Sequence, residues 1–275
     1  MEKKNIYLQS RGGFGNRMWF WGIALEINRI NKYNFNIVMS KYNFPEIKYI
    51  DFPHTIQGDI VPSSRILEYE NLNPNQNYKI SADALNRFQR LQERIAEGMD
   101  TLNGEITHIY NPQEPITLKD KKVDSIVRDK MKDVVGIHIR RGDVSAHIQP
   151  KVWAFEEPNH PEHGLLYYLH DEYYIDQCDK ILQDNPNQEF YLSTDGTWSE
   201  IQFMYDRYNI INPFIVKNTK IKNSINVFTE VEANDIMSLI YCKTFIAGIS
   251  SWSEFVKVQK GNRNVIERSG LDFTK

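Results

Sequence analysis

The sequence predicts an α/β protein built on parallel sheet, and three observations predict it. Its opening residues read as strand, loop, helix and second strand. Its second half alternates short β-prone runs with segments of helical period, the pattern of parallel strands covered on both faces. Its chemically interesting residues fall just beyond the carboxyl ends of those strands, where ligands of such sheets sit.

Ile6, Tyr7 and Leu8 form the first β-prone run, which Arg11-Gly12-Gly13-Phe14-Gly15-Asn16 interrupts. Apolar residues then return at helical spacing on two stripes, Met18, Trp21, Leu25 and Phe20, Ala24, Ile27. A helix apolar around so much of its girth should be well buried. Residues 34–39 read as a second strand, completing a β-α-β opening. The polar stretch 51–80 gives no assignment. Ser81 reads as the N-cap of a helix carrying Leu85, Phe88, Leu91 and Ile95 on one face. Residues 111–133, with two prolines and then a charge run, mark the expected boundary between an N-terminal domain 1–120 and a C-terminal domain 121–275. In the second half the expected elements are a strand at Val134–Ile139, a helix at Tyr173–Leu182 and a strand at Glu189–Leu192. A helix at Asp235–Cys242, a strand at Thr244–Ile249 and a helix at Glu254–Gln259 follow.

Composition narrows the function. The 275 residues can bury a proper core, and 33 Lys plus Arg against 36 Asp plus Glu leave no basic excess for a nucleic-acid backbone. The two cysteines, Cys178 and Cys242, are too few for a disulfide framework or a four-ligand zinc site and read as small buried residues. The N-terminus has no apolar core with a cleavage site, and no apolar stretch approaches the ~20 residues of a membrane span. The expectation is a cytoplasmic protein of unspecified oligomeric state.

Four segments can carry chemistry. In Val135-Gly136-Ile137-His138-Ile139-Arg140-Arg141-Gly142-Asp143, strand alternation puts Val135, Ile137 and Ile139 on one face and Gly136, His138 and Arg140 on the other. An imidazole and a guanidinium at one strand exit suit a diphosphate, since the planar fork of Arg matches phosphate oxygens. The plain alternative is an ion pair of Arg140 or Arg141 with Asp143. Arg11–Arg17 follows a strand and opens a helix, where free N–H groups attract anions, although it lacks a Walker ending and a full GxGxxG. Three hydroxyls in Ile249-Ser250-Ser251-Trp252-Ser253 lie between a strand and a helix, with N-capping as the plain reading. In Ser193-Thr194-Asp195-Gly196 an acid at a strand end suits ribose or base donors, or simply a turn.

Taken in order, these segments resemble the fucosyltransferases that share a HxRRGD segment, in particular the bacterial α-1,2-fucosyltransferases. Gly12–Phe20 is similar to their GGLGNQMFQY-like loop, and 135–143 matches VGIHIRRGD almost letter for letter. Leu169 with Tyr173-Tyr174, Ser193–Gly196, the Asp235–Lys243 stretch and Ser250–Phe255 follow in the family's order. The resemblance implies a GT-B fold, two Rossmann-like domains facing a cleft, with 1–120 on the acceptor side and 121–275 binding the nucleotide sugar. It implies transfer of fucose from GDP-fucose to a glycan hydroxyl with inversion, α-1,2 linkage, no metal and no cofactor. Carried over by position, Arg140, His138 and Asn16 would be catalytic. Gly13, Phe14, Gly15, Arg140, Asp195 and Ser250, Ser251 or Ser253 would hold the donor. A general base stays open among His147, Glu156, Glu157 and His160. Arg17 stands where the family has Gln, Gly196 where it has a second acid, and Glu254-Phe255 where it has paired tryptophans. Residues 40–130 match nothing in it. An inactive relative binding a nucleotide or glycan, a transferase using another donor, and a generic nucleotide-binding domain are the competing readings.

Overall fold

A computed structural model describes residues 4–9, 13–31, 35–59, 65–66, 76–80, 115–141, 169–215, 228–261 and 263–267. The chain divides into two compact units, Met1–Asp120 with Lys222–Ala233, and Lys121–Ile221 with Asn234–Lys275. The α/β class is as expected, with one parallel sheet in each unit.

The first unit contains β1 (Asn5–Leu8), α1 (Phe14–Asn31), β2 (Asn36–Met39), a 3-10 turn (Pro45–Lys48), β3 (Ile50–Asp51), β4 (Thr55–Gln57), β5 (Arg65–Ile66), β6 (Tyr78–Ile80) and β7 (Thr117–Leu118). Five strands pair in the order β4-β2-β1-β6-β5, every contact parallel, while β3 and β7 form a separate antiparallel pair. The two apolar stripes of α1 are both buried: Met18, Trp21, Ile23 and Ala24 are solvent-free. The Asn28 side chain turns the chain into β2 by accepting from Phe35 N and donating to Phe35 O, each at 3.0 Å. Part of the unassigned stretch 51–80 is therefore strand, in pieces of two or three residues that carry too little pattern to be read. The helix expected after Ser81 lies outside the described residues.

The second unit contains α2 (Lys121–Met131), β8 (Val135–Ile139), α3 (Asp171–Asp184), β9 (Phe190–Thr194), α4 (Trp198–Arg207), α5 (Glu230–Tyr241, whose first turn belongs to the first unit), β10 (Thr244–Ile246), α6 (Ser251–Gln259) and β11 (Val265–Ile266). The sheet order is β11-β10-β8-β9, all parallel. Val135, Ile137 and Ile139 enter one core cluster with Leu169, Tyr174, Cys178, Phe190 and Leu192, the face that alternation assigned them.

Several boundaries differ from expectation, each for a local reason. Helix α5 starts at Glu230 rather than Asp235 because Glu232 reaches back to accept from Thr229 N at 2.8 Å, a capping interaction that ties off an earlier turn. Helix α6 starts at Ser251 rather than Glu254 because the Ser250 hydroxyl accepts from Ser253 N at 3.1 Å. Strand β10 stops at Ile246, and Gly248 then passes so close to β8 that a Cβ there would lie 2.5 Å from His138 O. No helix among the described residues is long and apolar enough to cross a membrane.

Candidate functional site

The second unit's carboxyl edge gathers the predicted residues by register. Strands β8 and β9 pair from Val135↔Phe190 to Ile139↔Thr194, so the next residues in step are Arg140 and Asp195. Arg140 Nη1 donates to Asp195 Oδ2 at 2.7 Å, and Arg141 N donates to Asp195 Oδ1 at 2.7 Å. Asp195 thus uses both oxygens on this arginine pair. Arg140 keeps 31% of its side chain exposed against 14% for Asp195, so the guanidinium is the more accessible partner.

Arg141 is a brace and not a surface cation. It is only 1% exposed, and Nη1 donates to Arg140 O at 3.0 Å and Leu169 O at 2.9 Å. Nη2 donates to Asp171 Oδ1 at 2.5 Å, and the guanidinium lies 5.6 Å from the Tyr174 ring centre. The strand exit is thereby bolted to the first turn of α3. Burial raises the Tyr174 phenol far above its ordinary range, so it stays protonated. Among the described residues Arg140 pairs with Asp195 and Arg141 with Asp171. Gly142 and Asp143 lie outside the described residues, as do His147, Glu156, Glu157 and His160.

Two glycines are closely packed here. A Cβ at Gly196 would sit 2.9 Å from Arg141 Cβ, so a larger residue there requires the buried arginine to shift. A Cβ at Gly136 would meet Cys242 Sγ at 2.8 Å. Burial pushes the Cys178 thiol up to about 12 and raises that of Cys242, so both are inert packing residues.

His138 is buried on the opposite face of β8. Its Nδ1 lies 2.7 Å from Ser253 Oγ and 3.3 Å from Ser250 Oγ, and its ring stacks near Trp252 at 6.2 Å and 28°. Ser253 is fully buried, with its hydroxyl against the imidazole. Ser250 caps α6 and Ser251 begins it, both half-exposed. Sequence reasoning missed a second polar cluster. Buried Asp235 on α5 accepts from the hydroxyls of Tyr191 and Ser193, the latter at 3.1 Å, which ties β9 to that helix. No local spacing links residues more than forty positions apart.

In the first unit, Gly13 is exposed and its carbonyl accepts from Arg17 N at 3.1 Å, starting α1. Phe14 and Gly15 are buried, and the Phe14 ring stacks on Phe228 at 5.2 Å. Phe14 thus packs within this unit. Asn16 sits in the first turn of α1, with its side chain outside the described residues. Arg17, the departure from Gln, is buried with Nε donating to both Glu46 oxygens at 2.9 and 3.1 Å. Burial raises the Glu46 carboxyl despite the lowering by Arg17. Among the described residues no group of three or more His, Cys, Asp or Glu is placed to hold a metal ion.

Fold and site define an α/β protein with an arginine–histidine constellation at the carboxyl edge of a parallel sheet. No family model and no curated protein matches the chain. Among solved structures it is similar to the fucosyltransferase NodZ from Bradyrhizobium, at 14% identity and TM-score 0.45 over 98% of each chain. It is also similar to POFUT1 in complex with GDP-fucose, at 11% identity and TM-score 0.49 over 97% of this chain and 98% of that one. NodZ α-1,6-fucosyltransferase soaked with GDP-fucose gives 13% identity and TM-score 0.41 over 94% and 93% of the two chains.

Proposed function

We propose that this protein is an inverting glycosyltransferase of GT-B architecture that transfers fucose from GDP-fucose to a glycan hydroxyl in α-1,2 linkage. The observation that carries the reading is the Arg140–Asp195 pair at the exit of β8, with its guanidinium part-exposed and buried His138 on the same strand. The almost unbroken VGIHIRRGD segment supports the choice of donor. In this reading the start of α6, where Ser250 and Ser251 are half-exposed, adds backbone N–H donors and the Ser251 hydroxyl for the diphosphate. Gly13, Phe14 and Gly15 help to hold the donor in this reading, and Asn16 serves the fucose or the acceptor.

The acceptor oxygen bonds to the anomeric carbon as the bond from that carbon to the β-phosphate oxygen breaks. GDP departs with the electron pair, and the acceptor's proton passes to a base. The transition state resembles an oxocarbenium ion. Negative charge grows on the departing phosphate, so Arg140 binds the transition state more tightly than the ground state. Asp195 holds that guanidinium in place beforehand, which lowers the reorganisation needed when charge develops. The residues act without a metal in this scheme.

Calorimetric titration of GDP beside UDP, with chelator present, tests the reading. Preferential GDP binding supports it and justifies assays of GDP-fucose against glycan acceptors. Preference for UDP, or binding of neither, overturns it.

A further inference from the structure

We propose that Ser253 and Ser250 fix His138 as the Nε2–H tautomer, which makes His138 a hydrogen-bond donor in the site and not the acceptor's base. The argument is a proton count over three groups. Ser253 Oγ is fully buried, and its partners are His138 Nδ1 at 2.7 Å and Ser250 Oγ at 3.4 Å. Ser250 Oγ accepts from Ser253 N at 3.1 Å and donates its own proton toward Ser253 Oγ. The hydroxyl protons therefore run from Ser250 to Ser253 to Nδ1. Nδ1 is the acceptor, and the ring proton resides on Nε2.

The opposite tautomer fits the same atoms poorly. An Nδ1–H would occupy the short contact to Ser253 and send that hydroxyl's proton to Ser250 Oγ. That contact is the long one, and Ser250 Oγ already accepts from Ser253 N. A buried hydroxyl left with only a weak bond is the costlier arrangement. The ring is held in orientation as well as in tautomer, since Trp252 stacks beside it. Ser253 is thus a positioning residue acting through His138 across 115 residues of sequence. The functional half of the inference rests on the diphosphate-sugar reading above: a fixed Nε2–H suits a departing phosphate oxygen and cannot take a proton from an acceptor hydroxyl.

The test is a long-range 1H–15N correlation spectrum of the 15N-labelled full chain without nucleotide at pH 8, with the His138 signals assigned by their loss in His138→Gln. The expected result is a single Nε2–H pattern in the wild type that becomes a tautomer mixture in Ser253→Ala. A ring protonated at Nδ1, or a pattern unchanged in Ser253→Ala, overturns the proposal. Far-ultraviolet circular dichroism establishes that the variant is folded. If it does not fold, the wild-type spectrum decides alone, a single Nε2–H pattern supporting the proposal. The GDP titration reports on the donor reading separately, because the tautomer is read in the unliganded protein.

Discussion

Arg140 and Asp195 meet at 2.7 Å because two parallel strands run in step and deliver one residue each past their last paired positions. Their pairing has opposed consequences for an anionic ligand. Asp195 lowers the local positive charge, and it also fixes the guanidinium. In Asp195→Asn, affinity for GDP should stay level or rise as the negative charge goes. Turnover of GDP-fucose should fall by about tenfold or more, since a charge-assisted bond worth ~1.5–3 kcal/mol no longer holds Arg140. Calorimetry and initial rates measured on one preparation check this split. Unchanged turnover would show that the guanidinium needs no such restraint.

Arg140→Ala should lower turnover by ~10²–10³, the usual effect of losing one donor aimed at developing charge. Arg140→Lys should be nearly as impaired, because a point charge does not reproduce the planar fork. With 31% of the side chain exposed, neither substitution should move the melting temperature by more than a few degrees. An active Arg140→Ala enzyme would remove Arg140 from the mechanism.

Gly248→Ala should be destabilising by about 1–3 kcal/mol, the range for overpacking, because the new methyl would press on the His138 carbonyl at 2.5 Å. That obstacle is backbone in an inner strand of the sheet and has no rotamer to change. Gly13→Ala is the contrasting case, with nothing within 4 Å of the added Cβ, and should melt close to the wild type. Thermal melts of the two variants side by side make the comparison. Equal stability would show that β8 can shift at little cost.

Arg17→Met leaves the Glu46 carboxylate buried without its counter-charge. Breaking such a pair costs ~3–5 kcal/mol, and the cost should depend on pH. Burial already holds the Glu46 value above its ordinary 4.5, and removing Arg17 raises it further. A raised carboxyl binds its proton more tightly folded than unfolded, so its favourable contribution is complete below 4.5 and is lost as pH rises through the folded value. The stability gap between wild type and variant should therefore be wide at pH 8 and narrow towards pH 4.5. Urea unfolding followed by tryptophan fluorescence at the two pH values reads the gap. A gap independent of pH would mean that Glu46 keeps its proton in both proteins.

Alternation made much of this site legible. Period two alone sorted Val135, Ile137 and Ile139 from His138 and Arg140, and the two apolar stripes of α1 foretold its burial. Which acid meets which arginine was not legible, because that depends on strand register and on where α3 begins, and neither leaves a mark in local spacing. The same holds for Ser253, where a hydroxyl one turn into a helix looks like any other until the helix docks on β8. The stacking of Phe14 on Phe228 was not legible for a related reason, since the two lie more than two hundred residues apart. The early starts of α5 and α6 were readable in principle from Thr229 with Glu232 and from Ser250, but capping signals this short compete with ordinary loop residues.

The grouping of Lys222–Ala233 with the N-terminal residues bears on how the chain is made and on how it can be cut. Phe14 emerges from the ribosome more than two hundred residues before its stacking partner Phe228, so the first unit cannot complete its packing until most of the second has been translated. A single scission at residue 120 would deprive one fragment of that aromatic lid and leave the other with a stretch of helix belonging elsewhere. Anyone wishing to express the units apart must graft 222–233 back onto the first and close the gap left in the second.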